Sequence, residues 1–372
     1  MPEATENLSS IKQCYRRIRL SGLLPETNSI WYKIIKVYHM LMINYIGVAA
    51  VLDILLNKNN LIDFVQAISA VMIYMHNNTK AVNIYARQQV VRQLFDRLDN
   101  FSKESARDKA NQTRKQSFRE KFISVYCQSF LWLPIFSFVA GVFGDYMSGF
   151  VKPHIPLQVW LPWSMKTFWS YLAGMVFITL LEFSVCVYYM SGIVILFSYT
   201  NELAECLKVL QKRLEVNGPA DKTVYKHHKV IIELLQEFNK LFSGPYYVEI
   251  LATTLQPCGF GYAFIKMLNR YDPSAPEVIL KFLSSALAPG IVCACGQQIT
   301  TQMERLHASA YMSKWYEEKP KVRRDLLILL TITSKNIDLN YRHFISYNYA
   351  CYAMVLKGIY SYLMMIFSFD TE

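Results

Sequence analysis

Seven stretches of this chain are apolar and almost free of charge over lengths that a soluble core does not require: residues 37–57, 61–79, 122–144, 167–198, 246–265, 282–300 and 344–369. A helix needs about 20 such residues to cross the hydrocarbon of a bilayer. Inside lipid no water satisfies a stray backbone N–H or C=O, so a crossing segment must close its own hydrogen bonds. The runs are continuous, without the alternation that marks barrel strands, so helices are expected. The chain therefore reads as an all-α, seven-transmembrane-helix protein. Composition supports this, with 53% apolar and only 18% charged residues, against about 25% charged in soluble proteins.

The charges are segregated as sharply as the apolar residues. Of the 39 Lys and Arg, 32 lie in segments 1–36, 80–121, 199–245 and 301–343, and six in the segments between; Lys357 lies within the last run. Basic residues accumulate on the cytoplasmic side of membrane proteins, so the N-terminus is expected inside the cell and the C-terminus outside. The net charge of +11 is then the dressing of membrane helices, not a nucleic-acid-binding face. The first thirty residues are polar, with Lys12, Arg16, Arg17 and Arg19. No cleavable signal is visible there, and the first span is expected to direct insertion.

The inner segments carry helical patterns of their own. Leu203, Cys206, Leu207, Leu210 and Leu214 continue beyond span four, and Val230, Ile231, Leu234, Leu235, Phe238, Leu241 and Phe242 precede span five. Asn217-Gly218-Pro219 breaks the chain between them. Spans four and five are expected to run on into the cytoplasm as an antiparallel pair, with a third inner helix over 322–332, together forming an anchor region. This divides the chain into three parts: 1–198 with the ligand pocket, 199–343 with spans five and six and the anchor, and 344–372 with the last helix and its tail. Span six, with Pro289-Gly290 and Gln297-Gln298, reads as a kinked helix packed inside the protein.

Enzyme signatures are missing from the sequence. No His has an Asp five residues on, the 14 glycines form no phosphate loop, and Cys293-Ala-Cys295 has no second Cys/His pair for zinc. The eight cysteines read as buried free thiols, and neither a cofactor nor a metal is expected. Charges inside spans need partners. Glu182 and Lys357 are expected to pair with each other or across subunits, while Asp53 and Asp63 are expected near the outer surface in contact with water.

The C-terminal third resembles the insect odorant receptor family. The resemblance is carried by Ala310-Tyr311, Trp315-Tyr316, a basic stretch into Leu326-Leu327, the polar join Thr331-Ile-Thr-Ser-Lys-Asn336, and Leu356-Lys357-Gly-Ile-Tyr360-Ser361-Tyr362. Length and inverted seven-span topology fit over the whole chain. The resemblance implies an odorant-gated cation channel of four subunits in the plasma membrane, assembled with a shared co-receptor and passing hydrated cations. It implies that the last helix lines the pore, that cytoplasmic helices join the subunits, and that a volatile odorant binds in the outer half of the bundle. By correspondence with the family, Met365, Ser368 and Phe369 are expected near the gate, with Ser361 on the same face. If that helix lines the pore, Asp370 and Glu372 ring its mouth, where carboxylates favour cations.

A small apolar ligand calls for a closed apolar cavity with one or two polar groups. The expected walls are Phe64, Ile68 and Met72 in span two, Phe136, Val139 and Phe143 in span three, Tyr171, Met175 and Ile178 in span four, and Phe260 and Phe264 in span five. Tyr171 is the expected hydrogen-bonding group. A metabotropic seven-span receptor and a small-molecule transporter remain the alternative readings.

Overall fold

The structure is a computed structural model that describes residues 14–15, 17–18, 21–23, 30–56, 61–106, 118–147, 155–269, 271, 275–335 and 337–370. Among the described residues nine long helices dominate: α1 (Ile30–Leu56), α2 (Leu61–Ala86), α3 (Gln88–Ala106), α4 (Phe118–Met147), α5 (Phe168–Asn217), α6 (Lys222–Asn269), α7 (Ala275–Met312), α8 (Pro320–Thr333) and α9 (Tyr349–Asp370). The seven expected spans fall on α1, α2, α4, α5, α6, α7 and α9. Five of these are long and apolar enough to cross a membrane on composition alone; α2 and α6 are not among them. Their polar residues, including His76, Asn77, Lys80, Glu249 and Gln256, are buried inside the bundle.

Burial ranks the helices. In α5, 83% of the most apolar window is buried, against 17% in α4 and in α9. So α5 is the central post, and α4 and α9 are peripheral helices that leave most of their apolar surface uncovered. At 1.5 Å per residue, the 50 residues of α5 run for about 75 Å, more than twice the hydrocarbon thickness. The C-terminal half of α5 and the N-terminal half of α6 therefore project from the bundle as the expected antiparallel pair. Gly218, with φ +74°, ends α5 where Asn217-Gly218-Pro219 announces a break.

This projecting layer, the basic end of the protein, includes α3 and α8. An aromatic column holds it together. Tyr199 stacks on Phe238 with centroids 4.2 Å apart and meets Phe95 of α3 at 5.4 Å, and Phe238 stacks on Phe242 at 4.8 Å. The Tyr199 hydroxyl donates to the Leu234 carbonyl at 2.9 Å. In α3, Val91, Leu94, Phe95, Leu98 and Phe101 are buried at helical spacing.

The last helix begins later than expected. Residues 340–346 form a hairpin in which Asn340–Tyr341 pairs with Ile345–Ser346. Arg342 and His343 turn it with φ near +50° and +58°. Asp53 also differs from expectation: it is buried and accepts a hydrogen bond from Gln158 at 3.2 Å. All eight cysteines are buried, and none forms a disulfide with another described residue.

His227 and His228 sit buried in the basic-end layer. Desolvation holds both imidazoles below their usual range, and His228 is lowered to about 4 from 6.5. Among the described residues, the Nε2 of His228 has no hydrogen-bond partner. A folded pKa below the unfolded one means that the unfolded chain binds the proton first. Stability from this group is complete above pH 6.5 and declines as pH falls towards 4, by at most about 1.4 kcal/mol per pH unit. Thermal melting of the detergent-solubilised protein should drop between pH 7 and pH 5, and His228→Phe should flatten that drop.

Candidate functional site

The polar residues of α2 and α6 meet each other. Lys80 and Glu249 form an ion pair at 3.2 Å with side chains 3% and 0% exposed. Lys80 also lies over the Tyr189 ring of α5, 4.8 Å from its centroid. The helices can approach closely because Gly259 faces α2: a Cβ there would stand 2.1 Å from Ser69 Oγ and 2.7 Å from the Val65 carbonyl oxygen. The Ser69 hydroxyl donates to the backbone carbonyl of Gln256 at 3.0 Å, joining the two backbones.

A second buried cluster lies on α5 and α7. Lys281 donates to Glu182 at 2.7 Å, to Glu277 at 2.5 Å and to the carbonyl of Pro156 at 2.6 Å. Ser137 of α4 donates to Glu277 at 2.7 Å. Glu182 therefore finds its partner in Lys281, not in Lys357, which is exposed. The sequence reading placed Lys281 in a connecting segment because α7 starts seven residues before the apolar run. A buried charge is tolerated when it is paired and its remaining hydrogen-bonding positions are filled.

Between these clusters lies a cavity with about 670 Å³ of empty space, including its mouth. Its walls come from five helices: Ile73, His76 and Asn77 of α2, Phe130, Leu133 and Pro134 of α4, Glu182, Val185, Cys186 and Tyr189 of α5, Thr253, Gln256 and Phe260 of α6, and Lys281, Ser284, Ser285 and Ala288 of α7. Leu157 closes it from the segment between α4 and α5. That segment is tied down by Trp160 N–H donating to the Ala49 carbonyl and by Tyr45 donating to the Trp160 carbonyl. The surface is mostly apolar with a few fixed polar groups, the usual make-up of a small-molecule site. It draws on residues on both sides of position 198.

Of the expected wall residues, only Phe260 borders this cavity. Phe136, Val139 and Phe143 are 42–61% exposed and point away from the bundle; α4 turns Phe130, Leu133 and Pro134 inward instead. Phe64, Ile68 and Met72 are half-buried on α2; Phe64 and Ile68 lie one or more turns before the cavity-lining Ile73, and Met72 adjoins Ile73 without bordering the cavity. Tyr171, Met175 and Ile178 are buried, but nearer the start of α5 than the cavity residues. The Tyr171 hydroxyl is committed to Asp145 at 2.6 Å. Phe264 packs at the edge of the apolar cluster around Phe260. The signal that could have located the cavity was polar: buried His, Asn and Gln in apolar spans face the bundle interior.

On α9, burial follows one narrow stripe, Cys351, Val355 and Ile359, which packs on the bundle. Ser361, Met365 and Ser368 are exposed. Phe369 and Asp370 close the helix backbone, and Glu372 lies outside the described residues. Among the described residues, no group of His, Cys, Asp and Glu could hold a metal ion.

Comparison with known proteins gives consistent matches. The family described as 7tm odorant receptor matches residues 60–360. Odorant receptor 47a of Drosophila melanogaster is 20% identical over 94% of this chain and 95% of its own length. Odorant receptor 85b of the same species is 19% identical over 60% of this chain. Among solved structures, the insect olfactory receptor OR5 from Machilis hrabei in complex with eugenol superposes with a TM-score of 0.78 at 16% identity, covering 96% of this chain and 97% of that one. Without eugenol the TM-score is 0.76.

Proposed function

We propose, from the premise that this chain belongs to the 7tm odorant receptor family, that it is one subunit of an odorant-gated, non-selective cation channel. In this reading a small volatile apolar molecule enters the cavity between α2, α4, α5, α6 and α7. The observation that carries it is that cavity: aromatic and aliphatic walls with a few fixed polar groups, enclosed within a membrane bundle. The eugenol of the Machilis complex is a molecule of the size and polarity such a cavity suits.

The channel part of the proposal rests on α9. A helix that buries one stripe and exposes the rest cannot enclose a pore alone, because one chain contributes one such helix. Four subunits, some of them a co-receptor, would bring four copies around an axis, with the basic-end layer of α3, α5, α6 and α8 joining them. Ser361, Met365 and Ser368 then face the pore. Met365 and Phe369 close it by excluding water, and Ser368 offers a hydroxyl to the hydrated ion. The orientation belongs to the same proposal: the basic end lies in the cytoplasm and Asp370 and Glu372 stand at the outer mouth.

Two recordings test this. Cells expressing the chain with a co-receptor should pass cation current within milliseconds of odorant application while G-protein signalling is blocked. A current that vanishes under that block supports the metabotropic alternative. In the active channel, Asp370→Asn with Glu372→Gln should lower single-channel conductance in low salt, where screening is weak, and unchanged conductance removes the carboxylate ring from the account.

A further inference from the structure

The polar groups around the cavity are unequal in kind, and this inequality constrains the ligand if the cavity is the odorant site proposed above. The donors are largely committed. Lys281 spends its three N–H groups on Glu182, Glu277 and the Pro156 carbonyl. The hydroxyls of Ser284, Ser285 and Thr253 donate to carbonyls of their own helices, at Lys281, Phe282 and Glu249. Tyr189 shares its hydroxyl with Tyr126 at 3.3 Å. Asn77 donates its amide Nδ2 to the Ile73 carbonyl at 2.9 Å.

One buried acceptor is not committed. Among the described residues, Asn77 Oδ1 has no hydrogen-bond partner, and Asn77 is 1% exposed. Exchanging the two ends of the Asn77 amide would set its oxygen against the Ile73 carbonyl, so the free oxygen is fixed by the bond on the other side. Gln256 and His76 are side-chain neighbours whose polar ends meet each other. A buried acceptor without a donor is a standing cost that a bound donor removes. A bound ester, ketone or ether adds another acceptor and leaves that cost in place.

We infer that the cavity selects ligands by a hydrogen-bond donor: an apolar skeleton bearing one hydroxyl or amine group, with the donor directed to the orphaned amide oxygen of Asn77. This rests on the odorant-site reading and adds the ligand class to it. A site with unsatisfied polar groups discriminates strongly against an analogue that lacks the matching group.

Matched pairs test this in cells expressing the chain with a co-receptor: octanol against octyl methyl ether, and para-cresol against para-methylanisole. The hydroxyl member of each pair should activate at a half-maximal concentration about tenfold lower than its ether, the size of about one hydrogen bond. In Asn77→Leu the ratio within each pair should fall towards one, with surface labelling confirming delivery of the variant. Equal potency within the wild-type pairs, an ether more potent than its alcohol, silence to both hydroxyl compounds, or a ratio that survives in Asn77→Leu overturns the inference. If that variant does not reach the surface, the wild-type ratio decides. Ala288→Trp, which fills the cavity, separates the two levels. If it abolishes the response to every compound while the wild-type ratio is one, the site stands and the donor rule falls. If it responds like the wild type, the cavity is not the odorant site.

Discussion

The buried pairing of Lys80 with Glu249 makes the rest of this bundle possible. Neither α2 nor α6 is apolar enough to cross a membrane on composition alone. Each carries charged and amide side chains that are buried inside the bundle. An isolated charge at the centre of a membrane helix costs about 2.5–3.5 kcal/mol on insertion scales. Facing each other across the contact that Gly259 permits, the two helices answer each other's polar groups and become members of one bundle. Their contact is the most extensive between any two helices in the chain. The cluster of Glu182, Lys281 and Glu277 does the same for α5 and α7, with Ser137 drawing α4 against it.

These two clusters also locate the cavity. Polar groups held by partners are rigid, and the space between them is left to apolar side chains of α4, α5 and α6 that cannot reach across. The result is a mostly apolar cavity with a few polar groups in its walls. Binding and structure therefore share residues: Glu182 and Lys281 line the cavity and also hold α5 to α7. A ligand in the proposed site would touch the contacts of α7, and α7 is one of the helices against which α9 packs. That is a short mechanical route from a ligand to the helix proposed to line the pore.

Much of this architecture was readable in the residues. Apolar run lengths gave the seven spans, Asn217-Gly218-Pro219 gave the turn between α5 and α6, and leucines at helical spacing gave the projecting pair. The pocket walls were not readable in the same way. Phe136, Val139 and Phe143 share a face of α4, but spacing along a helix does not say whether a face meets lipid or protein when both are apolar, and here it points away from the bundle. The partner of Glu182 was missed for a related reason. Lys281 lies at the edge of an apolar run, where charge usually means solvent, yet α7 begins at Ala275 and carries Lys281 into the bundle. Polar residues inside spans were the more reliable guide, because lipid forbids them on the outside.

The account depends most on the α2–α6 ion pair, and a charge exchange tests it directly. Lys80→Glu and Glu249→Lys each leave two like charges buried together, and breaking a buried pair costs about 3–5 kcal/mol. Surface delivery of each single variant, measured by labelling of intact cells, should fall several-fold, and the double exchange should recover a substantial part of it. Single variants that reach the surface as well as the unaltered chain would contradict the account, since α2 and α6 would then cross the membrane without that pairing.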